Sequence, residues 1–246
     1  VNTIFVYRNG ATEQTTRIER AWLNPASGAV LWVDLQSPSI PESLLLSDTF
    51  AFHPLAVEDA LSSRERPKLE AYEGYLFLVL QDARLFVGPH VLVTVSGGAV
   101  RAIDEMRDNV AHNQKLLGDG SVALCHRIVD EMVDGYAPAV AALAERLDAI
   151  VAKLADKPAP GPLLRDVLTL QSDIAGWRHR LAAEGVVVER LARREFIDIS
   201  TEMAFRFRDV HDHLLAAGDE LAILSERLPA VVGVVSALAA GGRRWI

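Results

Sequence analysis

The chain has 246 residues, half of them apolar and 24% charged. That gives one large domain or two small ones an ample core and excludes an intrinsically disordered protein. A formal net charge of −8 argues against nucleic-acid binding as the main task, since a phosphate surface calls for basic patches, and suits cations or basic partners better. With Cys125 as the only cysteine, an intrachain disulfide and a cysteine-based zinc site are both excluded, in keeping with a reducing compartment.

The opening Val1-Asn2-Thr3-Ile4-Phe5-Val6-Tyr7 is a short alternating run, not the basic-then-apolar pattern of a secretory leader, and the lack of an initiator methionine points to a trimmed chain. Ile4 to Tyr7 reads as a strand closed by an Arg8-Asn9-Gly10 turn. Val30-Leu31-Trp32-Val33-Asp34-Leu35 is a second, more apolar strand. Ser37-Pro38-Ser39-Ile40-Pro41 then breaks the chain ahead of a helix expected to start near Glu42. Phe52-His53-Pro54-Leu55-Ala56-Val57-Glu58-Asp59-Ala60-Leu61 follows, with Pro54 at a first helical position. Glu58 and Asp59 should point about 100° apart around that helix. A basic run, Arg64-Glu65-Arg66-Pro67-Lys68, comes next. Tyr75 to Leu80 is nearly continuously apolar, the pattern of a strand covered on both faces. Leu85-Phe86-Val87 and Val91 to Val95 flank Gly88-Pro89-His90 as a hairpin would.

After Gly97-Gly98 the apolar period becomes helical. Ile103 to Leu117 makes one modest helix, closed by Gly118-Asp119-Gly120. From Leu124 the apolar positions Ile128, Met132, Tyr136, Val140, Leu143, Leu147, Ile150 and Leu154 predict a long amphipathic helix, kinked by Pro138. Lys157-Pro158-Ala159-Pro160-Gly161-Pro162 breaks it. A second long helix carrying Leu164, Leu168, Ile174, Trp177, Leu181 and Leu191 predicts an antiparallel hairpin. Phe196 to Ser200 interrupts the pattern, and a third helix runs through Met203, Phe207, Val210, Leu214, Leu221 and Leu224 to a break expected near Pro229. The longest weakly polar run, residues 229–240, contains Gly233 and Ser236. It is shorter than the roughly 20 apolar residues a spanning helix needs, so no membrane crossing is expected in this stretch.

Three segments together carry a family likeness. His53-Pro54-Leu55 with Glu58-Asp59, then Arg64 with Pro67-Lys68, and Tyr75-Leu76-Phe77-Leu78-Val79-Leu80 resemble the cytoplasmic domain of CorA-type divalent-metal transporters. Phe207-Arg208-Asp209-Val210-His211-Asp212-His213 resembles that family's Phe-Arg-Asp-Val-Tyr-Asp-His segment, and Ile128 to Tyr136 its acidic helix, with Gly135 where an acidic residue is common. Only about four residues separate Leu80 from Leu85, where the family usually has a longer hairpin.

The resemblance implies an α+β fold: an α/β/α sandwich on a mixed β-sheet, with a long antiparallel helical hairpin and a C-terminal stalk helix. The corresponding divisions are residues 1–120, 121–196 and 197–246, the last leading toward transmembrane helices and a Gly-Met-Asn pore signature that this stretch lacks. It implies a cytoplasmic metal-sensing and gating domain at the inner membrane, pentameric in the full-length protein and monomeric or dimeric as a fragment, attached to the membrane through those missing helices. The ligands it implies are Asp59 facing Asp209 of a neighbouring subunit, with Glu58 and Asp130 supplying a second, weaker position. Magnesium is the first ion expected, with cobalt, nickel or zinc as alternatives, because hard cations want oxygen ligands and magnesium keeps much of its water. Alone, spacing promotes none of these carboxylates above an ordinary solvated helix face.

A second candidate is Asp209 with His213, four apart on one helical face and able to chelate zinc or nickel. His211, where the family usually has tyrosine, tilts slightly toward the zinc-transporting branch of the superfamily. The basic residues Arg178, His179, Arg180, Arg190, Arg193 and Arg194 read first as a solvated face pairing with acidic neighbours, and second as a site for phosphates or lipid headgroups. Phosphate-loop, nucleophile-elbow and zinc-protease motifs are absent, so no catalysis is expected. The alternatives kept open are a zinc transporter's cytoplasmic domain and a soluble scaffold or binding domain of the same fold.

Overall fold

The computed structural model describes residues 2–62, 66–154, 160–196 and 199–241. Arg64 and Glu65 of the basic run, residues 157–159 of the proline-rich break, Ile197 and Asp198 lie outside the described residues. The chain divides into two units, Val1–Met132 with Val186–His211, and Val133–Gly185 with Asp212–Ile246.

The first unit is built on a seven-stranded sheet. Its strands are β1 (Asn2–Arg8), β2 (Ala11–Thr15), β3 (Val30–Gln36), β4 (Lys68–Tyr72), β5 (Tyr75–Val79), β6 (Arg84–Val87) and β7 (Val91–Ser96), in the spatial order β2-β1-β3-β7-β6-β5-β4. Only β3 and β7 run parallel, with Trp32 opposite Leu92 and Asp34 opposite Thr94; the other pairs are antiparallel. Asn9 (φ 52°) and Gly10 (φ 85°) both take the left-handed conformation. That is the geometry of a tight two-residue hairpin whose twist matches its strands. Four residues, 80–83, connect β5 and β6, closed by Leu80 N–H donating to Ala83 C=O at 2.9 Å.

The apolar runs of β3, β5, β6 and β7 are covered on both faces, as continuous hydrophobic strands require. One face buries Leu31, Val33, Leu35, Phe77, Val79, Phe86, Val93 and Val95 against Leu46, Phe52, Ala56 and Ala60. Those partners lie on the stretch that runs through α1 (Ile40–Leu44), one π-helical turn (Leu45–Thr49) and α2 (Pro54–Leu61), with Phe52 in the connection leading into α2. The helix expected near Glu42 starts two residues earlier. Ser39 caps it, with the Glu42 carboxylate accepting from the Ser39 backbone N–H at 2.8 Å and its hydroxyl at 2.7 Å.

The alternate residues of β3 point to the other face. There Trp32 stacks on Phe5 at 5.4 Å, and its indole N–H donates to Thr94 Oγ1 at 3.2 Å. The Thr94 hydroxyl in turn donates to Asp34 Oδ1 at 2.7 Å. Arg107, on α3 (Arg101–His112), closes the chain by donating to Asp34 Oδ2 at 2.9 Å.

Two helical expectations are corrected. The single helix over residues 103–117 is α3 followed by a 3₁₀ turn, Leu116–Asp119. Asn113 is extended, and its side chain accepts from Lys115 N–H at 3.2 Å, a local bond that competes with helix continuation. The long helix kinked at Pro138 is two helices, α4 (Ser121–Asp134) and α5 (Tyr136–Leu154), separated at Gly135. Pro138 sits in the first turn of α5, where a backbone N–H has no helical partner to lose.

The second unit is helical, made of α5 with parts of α6 (Pro160–Ala192) and α7 (Thr201–Gly241). Arg146 bonds Asp173 at 2.7 Å, Lys153 lies 3.9 Å from Asp166, and Tyr136 donates to buried Glu184 at 2.6 Å. Partner numbers fall in α6 as they rise in α5, so the hairpin is antiparallel as predicted. Between the end of α4 and α7, and again between α5 and α7, the register is parallel: His213 meets Asp134 at 3.3 Å and Arg227 meets Asp148 at 2.6 Å, both pairs 79 residues apart.

Helix α7 continues through Pro229, where a break was expected. Along this unit it buries Leu214, Ala217, Leu221, Leu224, Leu228, Val231 and Val235, an alternation of threes and fours. It also leaves Leu215, Ile223, Val234 and Leu238 exposed. Over Thr201–Leu238 it is long and apolar enough to cross a membrane by length and composition. Glu226 and Arg227 interrupt the apolar run within it.

Candidate metal-binding carboxylates

The His-Pro-Leu stretch first does local work. The His53 ring accepts from Leu55 N–H at 3.3 Å and so caps α2, while its own backbone N–H donates to the Tyr75 hydroxyl at 2.9 Å. Its ring stacks on Tyr72 at 5.1 Å. Pro54 follows as the first helical residue, where its fixed φ suits the turn. Ala56 and Ala60 face the sheet, and that burial aims the two carboxylates elsewhere. Glu58 is exposed. Asp59 is half-buried and takes Lys68 as its partner, with Nζ 2.5 Å from Oδ2.

Lys68 belongs to a small polar cluster on β4. It also reaches Glu70 Oε1 at 3.2 Å, and Tyr72 donates to the other oxygen of Glu70 at 3.0 Å. Burial pulls the Lys68 pKa down, but the hydrogen bonds and charges of Asp59 and Glu70 outweigh it and the net shift is upward. The Tyr72 phenol is pushed up to about 12 by burial and by Glu70. Sequence reasoning included Lys68 in a motif without giving it a role; nothing in the spacing shows it closing on Asp59.

Asp209 lies on α7, between buried Phe207 and Val210 and beside exposed Arg208. The inward pair fixes Asp209 outward. Phe207 meets His126 of α4 edge-on at 5.1 Å. Burial lowers the His126 pKa, against opposing pulls from a backbone bond at Arg206 and the charge of Asp130. Asp130 is half-buried one turn further along α4. The four expected ligands therefore sit on three elements of the first unit. The structure brings Asp59 to Lys68 rather than to any of the other three. His213, of the second candidate pair, has Nδ1 3.3 Å from Asp134 Oδ1. Gly135 occupies the break between α4 and α5.

The basic residues late in α6 are engaged within the units. Arg178 donates to Ser225, Arg180 lies over Trp177, Arg190 bonds Glu195 and the Leu69 carbonyl, and Arg193 bonds Glu189. The acidic partners among these, Glu195 and Glu189, lie just after and within the same helix rather than on a neighbouring one.

Residues 27–240 match the profile of the CorA-like Mg2+ transporter protein family. The chain belongs to that family. Among curated relatives, YfjQ of Bacillus subtilis, provisionally assigned as a metal ion transporter, is 30% identical over 194 residues, covering 75% of this chain and 60% of that protein. The cobalt/magnesium transport protein CorA of Thermotoga maritima is 22% identical over 189 residues, covering 71% of this chain and 54% of that protein. The chain thus spans little more than half the length of these relatives. Among solved structures, the soluble domain of CorA from Methanocaldococcus jannaschii superposes with a TM-score of 0.81 at 17% identity, covering 96% of this chain and 97% of that one. The ZntB cytoplasmic domain of Vibrio parahaemolyticus gives 0.74 at 13% identity, covering 98% and 97%. These likenesses establish the CorA α+β fold with its mixed sheet.

Proposed function

We propose that this chain is the metal-sensing cytoplasmic part of a CorA-like divalent-cation transporter, lying at the cytoplasmic face of the membrane and assembling with copies of itself, as a pentamer in the full-length protein. Asp59 of one subunit and Asp209 of the next share a divalent cation, with Glu58 and Asp130 offering a second, weaker position. Magnesium is the first choice because the donors are all oxygen and a hydrated ion needs only one or two carboxylates. The names of the relatives point to magnesium and cobalt as well. The observation that carries the reading is Asp209: buried Phe207 and Val210 fix it on the solvent side of α7, where a second subunit can approach.

The carboxylates supply the response. Facing one another bare, each pair at 4 Å repels by about 4 kcal/mol at an effective dielectric near 20. With a divalent cation between them they bridge the subunits and hold the assembly closed. When cytoplasmic metal falls, repulsion returns and biases the assembly toward splaying and the pore toward opening. Thermal unfolding in rising magnesium tests this. The wild-type chain is expected to gain stability, and an Asp59→Asn, Asp209→Asn double variant to lose most of that gain; an equal gain in both overturns the reading.

A further inference from the structure

We propose that a cavity at the carboxyl ends of β3 and β7 binds the oxyanion group, phosphate or carboxylate, of a small hydroxylated metabolite, with Arg84 holding its charge. β3 and β7 are the parallel pair of the sheet, in register as far as Gln36 opposite Ser96, and the chain leaves them for opposite faces. After β3 it enters the stretch whose Leu46, Ala56 and Ala60 cover the face of Val33 and Val93. After β7 it enters α3, whose Arg107 bonds Asp34 on the other face. Parallel neighbours whose connections diverge in this way leave a crevice beyond their carboxyl ends, which is where open sheets seat ligands. A cavity of about 300 Å³ opens there, with Ser37, Ser62, Arg84, Ser96 and Gly97 in its lining. That volume is at the lower end of the range for small-molecule sites.

The lining selects the ligand. Among the described residues that line the cavity, Arg84 is the charged one, and it is only 6% exposed. Its Nη2 donates to Ser62 C=O at 2.9 Å. A guanidinium carries five donors in a rigid fork, so this bond orients the group without exhausting it. A phosphate or carboxylate matches that fork with two parallel bonds. Ser37, left-handed at φ 47°, donates its hydroxyl proton to Gly97 C=O at 2.9 Å, and Ser96 donates its own to Gly98 C=O at 2.8 Å. Both Oγ atoms are thereby left as acceptors, which calls for hydroxyl groups on the ligand. Ala60, Leu61 and Val95 supply an apolar wall for its carbon skeleton. None of these residues belongs to the magnesium reading, so the two proposals fail separately.

Calorimetric titration of the whole 246-residue chain in magnesium-free buffer with ribose 5-phosphate, malate, ribose and inorganic phosphate tests the site. Ribose 5-phosphate or malate is expected to bind more tightly than inorganic phosphate, and whichever binds better names the oxyanion; ribose is expected not to bind. The affinity is expected to fall roughly tenfold or more in Arg84→Gln. Gly97→Phe separates lost binding from lost fold, because Gly97 is exposed and a Cβ there meets no atom within 4 Å. That variant is expected to keep the wild-type melting temperature and to lose binding by filling the mouth of the cavity. Failure of both ribose 5-phosphate and malate to bind would overturn the site, as would wild-type affinity in both variants or ribose binding as tightly as its phosphate. Inorganic phosphate binding at least as tightly as either metabolite would mark an adventitious ion only, and would overturn it too.

Discussion

Lys68 Nζ stands 2.5 Å from Asp59 Oδ2, so a carboxylate proposed to share a cation with a neighbouring subunit already holds a cation from its own chain. Any metal at Asp59 competes with that ammonium, which Glu70 also helps to hold at 3.2 Å. Lys68 would therefore raise the metal concentration needed to occupy Asp59.

Replacing Lys68 with methionine tests that relationship. Without metal, the loss of a partly exposed ion pair is expected to cost about 1 kcal/mol or less. With magnesium, the freed Asp59 and Glu70 are expected to bind several-fold more tightly, read as a lower midpoint in a magnesium-dependent thermal shift. An unchanged or higher midpoint would mean that Asp59 does not meet the metal.

Asp34 gives a pH signature. It is fully buried in β3, hydrogen-bonded by Thr94 and Arg107. Burial is the largest influence on it and outweighs Thr94 and Arg107, so its pKa is raised. The folded state then holds this proton more tightly than the unfolded chain does. Stability from this group is lost as pH rises from the unfolded value near 4 through the folded one. Denaturant unfolding of wild type and Asp34→Asn across acidic to neutral pH is expected to show the wild type's advantage shrinking as pH rises. An advantage that grows would mean that the Arg107 pair dominates. Asp34→Ala, which leaves Arg107 and Thr94 without this partner, is expected to cost about 3 kcal/mol at acidic pH and less as pH rises.

His126 has the opposite sign. Burial lowers its pKa in the fold, so below the unfolded value of about 6.5 the unfolded chain takes up the proton more readily. Stability from this group is present at neutral pH and lost on acidification. His126→Leu, which keeps an apolar contact for Phe207, is expected to flatten that loss between pH 7 and 5 while changing neutral stability by about 1 kcal/mol or less. A wild-type acid slope in the variant would place the titrating group elsewhere.

Much of this fold is legible in the sequence, and the missed parts share a cause. β3, β5 and β7 announce themselves as continuous apolar runs because both their faces are buried. β2 and β4, with the sequences ATEQT and KLEAY, carry no clear strand pattern; they are the two edges of the sheet, where burial is partial and the apolar signal fades. Ser39 and Glu42 form a capping box inside the Ser- and Pro-rich stretch that reads as a break, which is why the helix starts two residues ahead of its expected position. Pro138 and Gly135 were both visible, but which would divide the helix depends on whether the proline falls in a first turn.

The candidate site was legible only through residue motifs. Adjacent Glu58 and Asp59 say nothing of Lys68, because the pairing crosses from α2 to β4. Likewise the approach of Asp134 to His213 depends on a helix register that no local pattern encodes.

The central claim is that Asp59 and Asp209 meet across a subunit boundary, and mixing variants tests it most directly. Sedimentation of Asp59→Asn and Asp209→Asn chains, each alone and then mixed, is compared at low and high magnesium. In the mixture, Asp209 of one chain can face Asp59 of the other. The account predicts that each variant alone loses magnesium-dependent association and that the mixture recovers part of it. Wild-type association by either variant alone, or no recovery on mixing, would contradict it.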